Sequence, residues 1–221
     1  MKVTELPEGA KRHALFAGLS DEACIRALTV LDARVKKYAK NEYLLTAGEP
    51  FSSFGIVCSG GVQVYMEDID GERLMMASVD VGDSFGESLA YLDTAESPVS
   101  IFAVAPSEIL WLDAHALRRA SGAGDALAFD LYERLTRVLA VRALSQNDRI
   151  QILSRATIRE RLFAFFTQCE HRYGSRTFTV PFDREGLAVY LGVNRAALSR
   201  ELSKMKREGA IDYYRSTFRL L

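Results

Sequence analysis

Apolar and polar positions alternate with two different periods along this chain, and the changes of period divide it. Over residues 12–31 the apolar positions recur every three or four residues. Leu15, Phe16 and Leu19 lead to Ser20, a helix cap, and then to an inner stripe of Ile25, Leu28 and Leu31. The spacing predicts helix across that span. From Val35 the period shortens to two. Val35–Tyr38, Tyr43–Leu45, Phe54–Cys58, Val62–Met66 and Leu74–Ser78 read as short strands, continued by Ser100–Val104 and Glu108–Leu112. Turn residues separate them at Ala47-Gly48-Glu49-Pro50, Ser59-Gly60-Gly61 and Asp70-Gly71. The Asp-Gly pair is the strongest hairpin signal, because a type I′ turn needs positive φ at both central positions. Strands this short and closely spaced predict a small antiparallel barrel or roll.

The roll is interrupted over Val81–Leu92, where Gly82 and Gly86 bend a strand into a short helix. Amides at such a helix start can hold an anion; glycines at a barrel bend also have a purely structural reading. Residues 113–121 form a short helix, and Asp125 opens a long one with Leu127, Leu131, Leu135, Val138 and Leu139 at helical spacing. A helix of that kind either lies along its own domain or forms a two-stranded coiled coil with a second copy. Thr157 and Glu160 make a capping box that starts a fresh helix with Ile158, Leu162, Phe165 and Cys169 inward. Arg176–Val180 is a strand, and Ile211–Arg215 with Thr217–Leu220 is a terminal hairpin. The expected fold class is α+β. It comprises an N-terminal antiparallel β-roll over 1–122, a dimerisation helix over 123–153 and a C-terminal winged helix-turn-helix over 154–221.

The candidate chemistry lies in Asp183–Ile211, DREGLAVYLGVNRAALSRELSKMKREGAI. Asp183 caps a first helix whose inner face is Leu187, Ala188 and Leu191, and Gly192 supplies the turn. Asn194 caps a second helix with Leu198, Leu202 and Met205 inward, and Gly209 ends it. Arg195, Ser199 and Arg200 then cluster on the outer side near the start of that helix. An ordinary αα-hairpin with a solvated face is one reading. A helix-turn-helix with its recognition helix in the major groove is the other, and the small residue, glycine, cap and arginines all fit it.

Charge adds to this reading. Residues 1–153 carry 15 Lys and Arg against 22 Asp and Glu, whereas residues 154–221 carry 13 against 7. A basic module joined to an acidic one suits a polyanion-binding part attached to a part with another task. At 48% hydrophobic and 26% charged, the composition is that of a soluble globular protein. No apolar run reaches membrane-spanning length and the opening MKVTELPEGAKRH is not a signal peptide, so no membrane partner is expected. Cys24, Cys58 and Cys169 fit reduced thiols in a cytoplasm better than a disulfide framework.

From Leu15 onward the chain resembles the Crp/Fnr family of bacterial transcription regulators. VPFDREGLAVYLGVNRAALSRELSKMKREGAI matches the family's DNA-binding half, and GEPFSSFGIVCSGGVQVYMEDIDGE with GDSFGES matches its sensor half. The resemblance implies a cyclic-nucleotide-binding-type roll, or double-stranded β-helix, and a homodimer with Leu131, Leu135, Val138 and Leu139 in the seam. It implies an operator faced by Asn194, Arg195, Ser199 and Arg200, with Arg200 on a guanine and Arg184 on a phosphate. Ala196 stands where many relatives have glutamate, which removes a cytosine contact. The implied effector site is Gly86, Glu87, Ser88, Ser97, Pro98 and Arg142. Members that bind cyclic AMP carry an arginine about ten residues after Gly-Glu; here Glu96-Ser97-Pro98-Val99 occupies that stretch, and Arg142-Ala143 replaces the purine-contacting pair. The effector is therefore expected to be a small organic molecule or anion other than cyclic AMP. The iron–sulfur branch is disfavoured because Cys24 stands alone, and a haem sensor because the roll holds no histidine.

Rival classes fare worse. A cupin-type metalloenzyme needs imidazoles on the inner strands, and His13, His115 and His171 all lie outside residues 35–112. No catalytic, metal or cofactor constellation stands out, so no enzyme is expected. Two alternatives stay open. One is a cyclic-nucleotide-dependent regulator with an atypical phosphate site. The other is an effector-binding subunit acting on a protein partner, which would need no basic winged helix. The expected partners are double-stranded operator DNA, a small-molecule effector, a second copy and RNA polymerase.

Overall fold

The computed structural model describes residues 3–67, 73–92, 96–180 and 182–221, except the side chains of residues 67, 73 and 74. The chain folds as two compact units, Met1–Ala140 and Val141–Leu221. In the first, helix α1 (Asp21–Val30) precedes eight strands: β1 (Arg34–Tyr38), β2 (Tyr43–Leu45), β3 (Ser53–Ser59), β4 (Val62–Glu67), β5 (Arg73–Val79), β6 (Ser84–Phe85), β7 (Ser100–Ala103) and β8 (Ser107–Asp113). Helix α2 (Glu87–Tyr91) interrupts the strands, and α3 (Ala114–Gly122) and α4 (Ala126–Leu153) follow them. Every alternating run of the sequence is thus a strand. The Asp70-Gly71 turn expected between β4 and β5 lies outside the described residues.

The strands form two antiparallel sheets of four, ordered β1-β8-β3-β6 and β2-β7-β4-β5. Register places Phe54 opposite Leu112, Ile56 opposite Leu110, Val62 opposite Ala103 and Val64 opposite Ile101. Period-two patterning thereby sends one face of each sheet into a shared core. Strand β3 departs from alternation, with Phe54–Cys58 buried throughout. Its second face is covered by the N-terminal 3-10 turn Glu8–Arg12, where Gly9 comes so close that a Cβ would lie 2.0 Å from the Cys58 carbonyl oxygen.

Two helical expectations need correction. Residues 13–17 turn rather than forming helix, and Gly18 has φ +75°, a conformation that ends any helical run. Leu15 and Phe16 are buried all the same, because the turn packs on the roll. In α1, which Ser20 caps as expected, the inner stripe is Cys24, Ala27, Leu28 and Leu31, while Ile25 is exposed. Smaller residues at the same helical spacing take the buried side.

Helix α4 contributes Ala128, Leu131 and Leu135 to the core of the first unit and Ile152 to the core of the second. The second unit continues with α5 (Ile158–Tyr173), β9 (Thr177–Thr179), α6 (Arg184–Leu191), α7 (Arg195–Arg207), β10 (Ile211–Tyr214) and β11 (Thr217–Leu220). The Thr157–Glu160 capping box is formed in both directions. Leu162, Phe166, Leu187, Leu191, Leu198, Leu202 and Met205 are buried against Ile211 and Phe218 of a three-stranded wing ordered β10-β11-β9.

Candidate nucleic-acid interface and sensor residues

The helix-turn-helix is built from its caps inward. Asp183 accepts from the Gly186 amide at 2.7 Å, and Asn194 Oδ1 accepts from the amides of Ala196 and Ala197 at 2.9 and 3.3 Å. Gly192, at φ +61°, ends α6 in the left-handed conformation that the turn requires. Burial of Leu198, Leu202 and Met205 turns the opposite line of α7 to solvent: Ala196, Arg200, Ser203 and Arg207 are all exposed. Ser199 and Lys204 flank that line and are exposed too.

Among the described residues no ion pair engages Arg200, so its planar fork is available to a ligand. Arg195 lies 3.6 Å from Glu185, but both side chains are two-thirds exposed. A pair that open is worth no more than about 1 kcal/mol and does not withhold Arg195 from a stronger anion. The Arg184 guanidinium lies over the rings of Tyr213 and Phe218, at 4.8 and 5.2 Å, and burial lowers its pKa. In this arrangement it ties α6 to the wing.

The sequence reading missed two kinds of residue here. Ser203, Lys204 and Arg207 follow Arg200 at helical spacing, a signal the chain does contain. Arg149 and Arg161 carry no such signal. Arg161, on α5, donates to the carbonyls of Arg155, Leu191 and Gly192, each at 3.0 Å. Arg149, on α4, donates to those of Tyr190 and Val189 at 3.3 and 3.4 Å. The last carbonyls of a helix have no intrahelical partner and form the negative end of its dipole, so two cations there secure α6.

In the roll, the expected effector residues separate. Gly86 caps α2 at φ +81°, and a Cβ on it would lie 2.4 Å from the Phe51 ring, so glycine is required twice over. Glu87 is only 1% exposed and accepts from the Ser84 hydroxyl. His13 Nε2 lies 2.9 Å from that same hydroxyl, and the Leu15 amide donates to His13 Nδ1 at 3.2 Å. With Nδ1 accepting, Nε2 carries the proton and donates to Ser84, which donates onward to Glu87. His13, distant from the roll in sequence, is therefore part of the roll's interior. The Ser97 hydroxyl is engaged by the carbonyl and amide of Val99, at 2.8 and 3.2 Å, and its backbone pairs with Gly48 and Glu49.

Glu87 and Ser97 thus serve internal networks in this structure. Ser88 and Pro98 are exposed, and Arg142 is half-buried on the part of α4 that belongs to the second unit. Helix α2 has five residues, too few for the aligned dipole expected to hold an anion. At its far end Tyr91 packs edge-on against Tyr132 of α4, with ring centroids 5.6 Å apart, and burial raises its hydroxyl pKa.

The seam expected on α4 is also corrected. Leu131 and Leu135 are 0% and 1% exposed within this one chain, so they have no surface left to bury on a second copy. Val138 and Leu139 are partly buried. The large apolar residues exposed on α4 are instead Phe129, Tyr132, Val141, Leu144 and Ile150.

Residues 35–121 match the family described as Cyclic nucleotide-binding domain, and residues 160–221 match the Crp-like helix-turn-helix domain. The chain belongs to the Crp/Fnr family of transcription regulators. Electron transport regulator A of Shewanella oneidensis is 24% identical over 184 residues, 81% of this chain and 71% of that protein. Nitrogen fixation regulation protein FixK of Bradyrhizobium diazoefficiens is 27% identical over 215 residues, 91% of this chain and 84% of that one. The structure of FixK2 from Bradyrhizobium japonicum superimposes with a TM-score of 0.55 at 24% identity, covering 85% of this chain and 92% of the other, a likeness of fold. Like its Crp/Fnr relatives, the chain is a DNA-binding regulator and not an enzyme. No helix among the described residues is long and apolar enough to cross a membrane.

Proposed function

We propose that this regulator works in the cytoplasm as a homodimer, reads its operator with the outer line of α7, and answers to an effector other than cyclic AMP. The observation that carries the DNA reading is the unengaged Arg200 fork, held outward by burial of Leu198, Leu202 and Met205. Such a fork fits guanine O6 and N7 bidentately. Arg195 and Ser199 stand beside it, and Asn194 fixes the helix start. Dimerisation is supported by Phe129, Tyr132, Thr136, Ala140 and Leu144, which follow one another at three- or four-residue intervals and are all exposed. RNA polymerase is the further partner that a regulator of this kind calls for.

Arg200→Ala is expected to weaken binding to a selected operator by about 1–3 kcal/mol and to relax preference at one base pair per half-site. Binding isotherms on duplexes varied at single positions measure both effects. Equal affinity of wild type and variant would remove Arg200 from the interface.

The effector reading rests on the Glu87 and Ser97 networks and on the absence of arginine from Glu96-Ser97-Pro98-Val99. A phosphodiester brought there meets no cation from that stretch, and desolvating an unpaired anion is costly. Calorimetry is expected to show no micromolar binding of cyclic AMP or cyclic GMP; binding of either would overturn the reading. Arg142 supplies a planar, permanently charged group suited to a small organic anion. A screen of carboxylates and phenolates against wild type and Arg142→Ala tests it, and an anion bound equally by both would exclude Arg142.

A further inference from the structure

We infer that Ala196 is a specificity-determining residue and that it selects thymine through the base's 5-methyl group. The inference rests on the reading that the outer line of α7 faces DNA, and goes beyond it by naming a second base and the group that is read. Residues at the N-terminal end of a recognition helix approach base edges most closely. On the outer line of α7 that position is Ala196, one helical turn before Arg200 and exposed.

The chemistry at this point is wholly apolar. The side chain is a methyl group. The amides of Ala196 and Ala197 are both taken by Asn194 Oδ1, so the backbone offers no donor either. A base edge that meets Ala196 therefore gains only by apolar contact. In the major groove one base presents an apolar group of that size, the C5-methyl of thymine. The Ser203 hydroxyl, two turns further along α7, is turned back onto the Ser199 carbonyl at 2.9 Å. Four residues of helix rise about 6 Å, and bases along one strand are spaced about 3.4 Å. The thymine lies within about two base pairs of the guanine assigned to Arg200.

The test uses the full-length protein and duplexes it selects from a randomised library. In the selected duplex each thymine is replaced singly by deoxyuridine, which keeps every hydrogen-bonding group and removes only the methyl. One thymine per half-site, within two base pairs of the required guanine, is expected to lose affinity about three- to five-fold on this change. Ala196→Gly is expected to bind the thymine and deoxyuridine duplexes alike. Ala196→Glu, which keeps good helix propensity, is expected to select cytosine at that position, since a carboxylate accepts from cytosine N4. In Arg200→Ala the guanine preference disappears while the deoxyuridine penalty persists.

Selection of a guanine-containing site at which no single deoxyuridine costs affinity would overturn this inference and leave the Arg200 reading standing. The same penalty in Ala196→Gly as in wild type would do likewise. A wild-type protein that selects no common sequence would overturn both.

Discussion

Leu135→Asp is expected to unfold the first unit, whereas Leu144→Asp is expected to leave both units folded and to separate the proposed dimer. The two leucines lie nine residues apart on one helix and differ only in surroundings. Leu135 is 1% exposed in the core that holds Leu131 and Ala128; Leu144 is 65% exposed. Aspartate at Leu135 forfeits the apolar burial and places an unpaired carboxylate in the core, a loss of about 4 kcal/mol or more. Against a total stability of about 5–15 kcal/mol, that is a large share. At Leu144 the same change costs the folded chain no more than about 0.5 kcal/mol, as for other exposed positions. Its cost falls on the proposed seam, where burying the charge opposes association. The single tryptophan, Trp111, lies in β8 of the first unit, so its fluorescence reports that unit. Urea titrations followed by tryptophan emission should show the transition shifted or lost in Leu135→Asp and unchanged in Leu144→Asp. Sedimentation should show the reverse sensitivity, with wild type dimeric and Leu144→Asp monomeric at micromolar concentration. A Leu144→Asp protein that stays dimeric and binds operator normally would displace the seam from this face.

The second large effect is expected at Arg161. Methionine there keeps an unbranched apolar stem and removes the hydrogen bonds to three carbonyls. Bonds from a charged donor contribute about 1.5–3 kcal/mol each when buried and less when open to water, so a loss of about 2–4 kcal/mol from the second unit is expected. Tryptophan emission should not register it, while far-ultraviolet circular dichroism should lose helix at lower urea. Specific DNA affinity should fall with it, because the Gly192 turn that sets α6 against α7 loses two of its ties. Arg161→Lys should recover part of the loss, since an ammonium supplies donors without the planar fork. A Met variant with unchanged unfolding would show that water replaces the guanidinium at no cost.

Which features the sequence disclosed follows from the range of the interactions behind them. Ser20, Thr157, Asp183 and Asn194 were readable as caps because a cap is satisfied within three residues of itself. The strands were readable because a sheet with one buried face imposes period two on its own residues. The Arg200 ridge was readable because a helix repeats its faces every three or four residues, and the same rule extends it to Ser203, Lys204 and Arg207. Local geometry therefore determined the two architectures and the outer face of the recognition helix.

Long-range contacts decided the rest. The apolar spacing of α4 marks Leu131 and Leu135 as a stripe, but core and seam want the same residue types; only packing on the roll separates them from Phe129 and Leu144. Arg149 and Arg161 look like solvated charges until α4 and α5 bring them to the carbonyl end of α6. His13 stands 71 residues from Ser84, and only the fold of the N-terminal turn joins it to Glu87. A Gly-Glu pair in sequence says that a carboxylate stands at the start of α2. Whether it faces a ligand or is spent on a serine and a histidine depends on partners that no local pattern encodes.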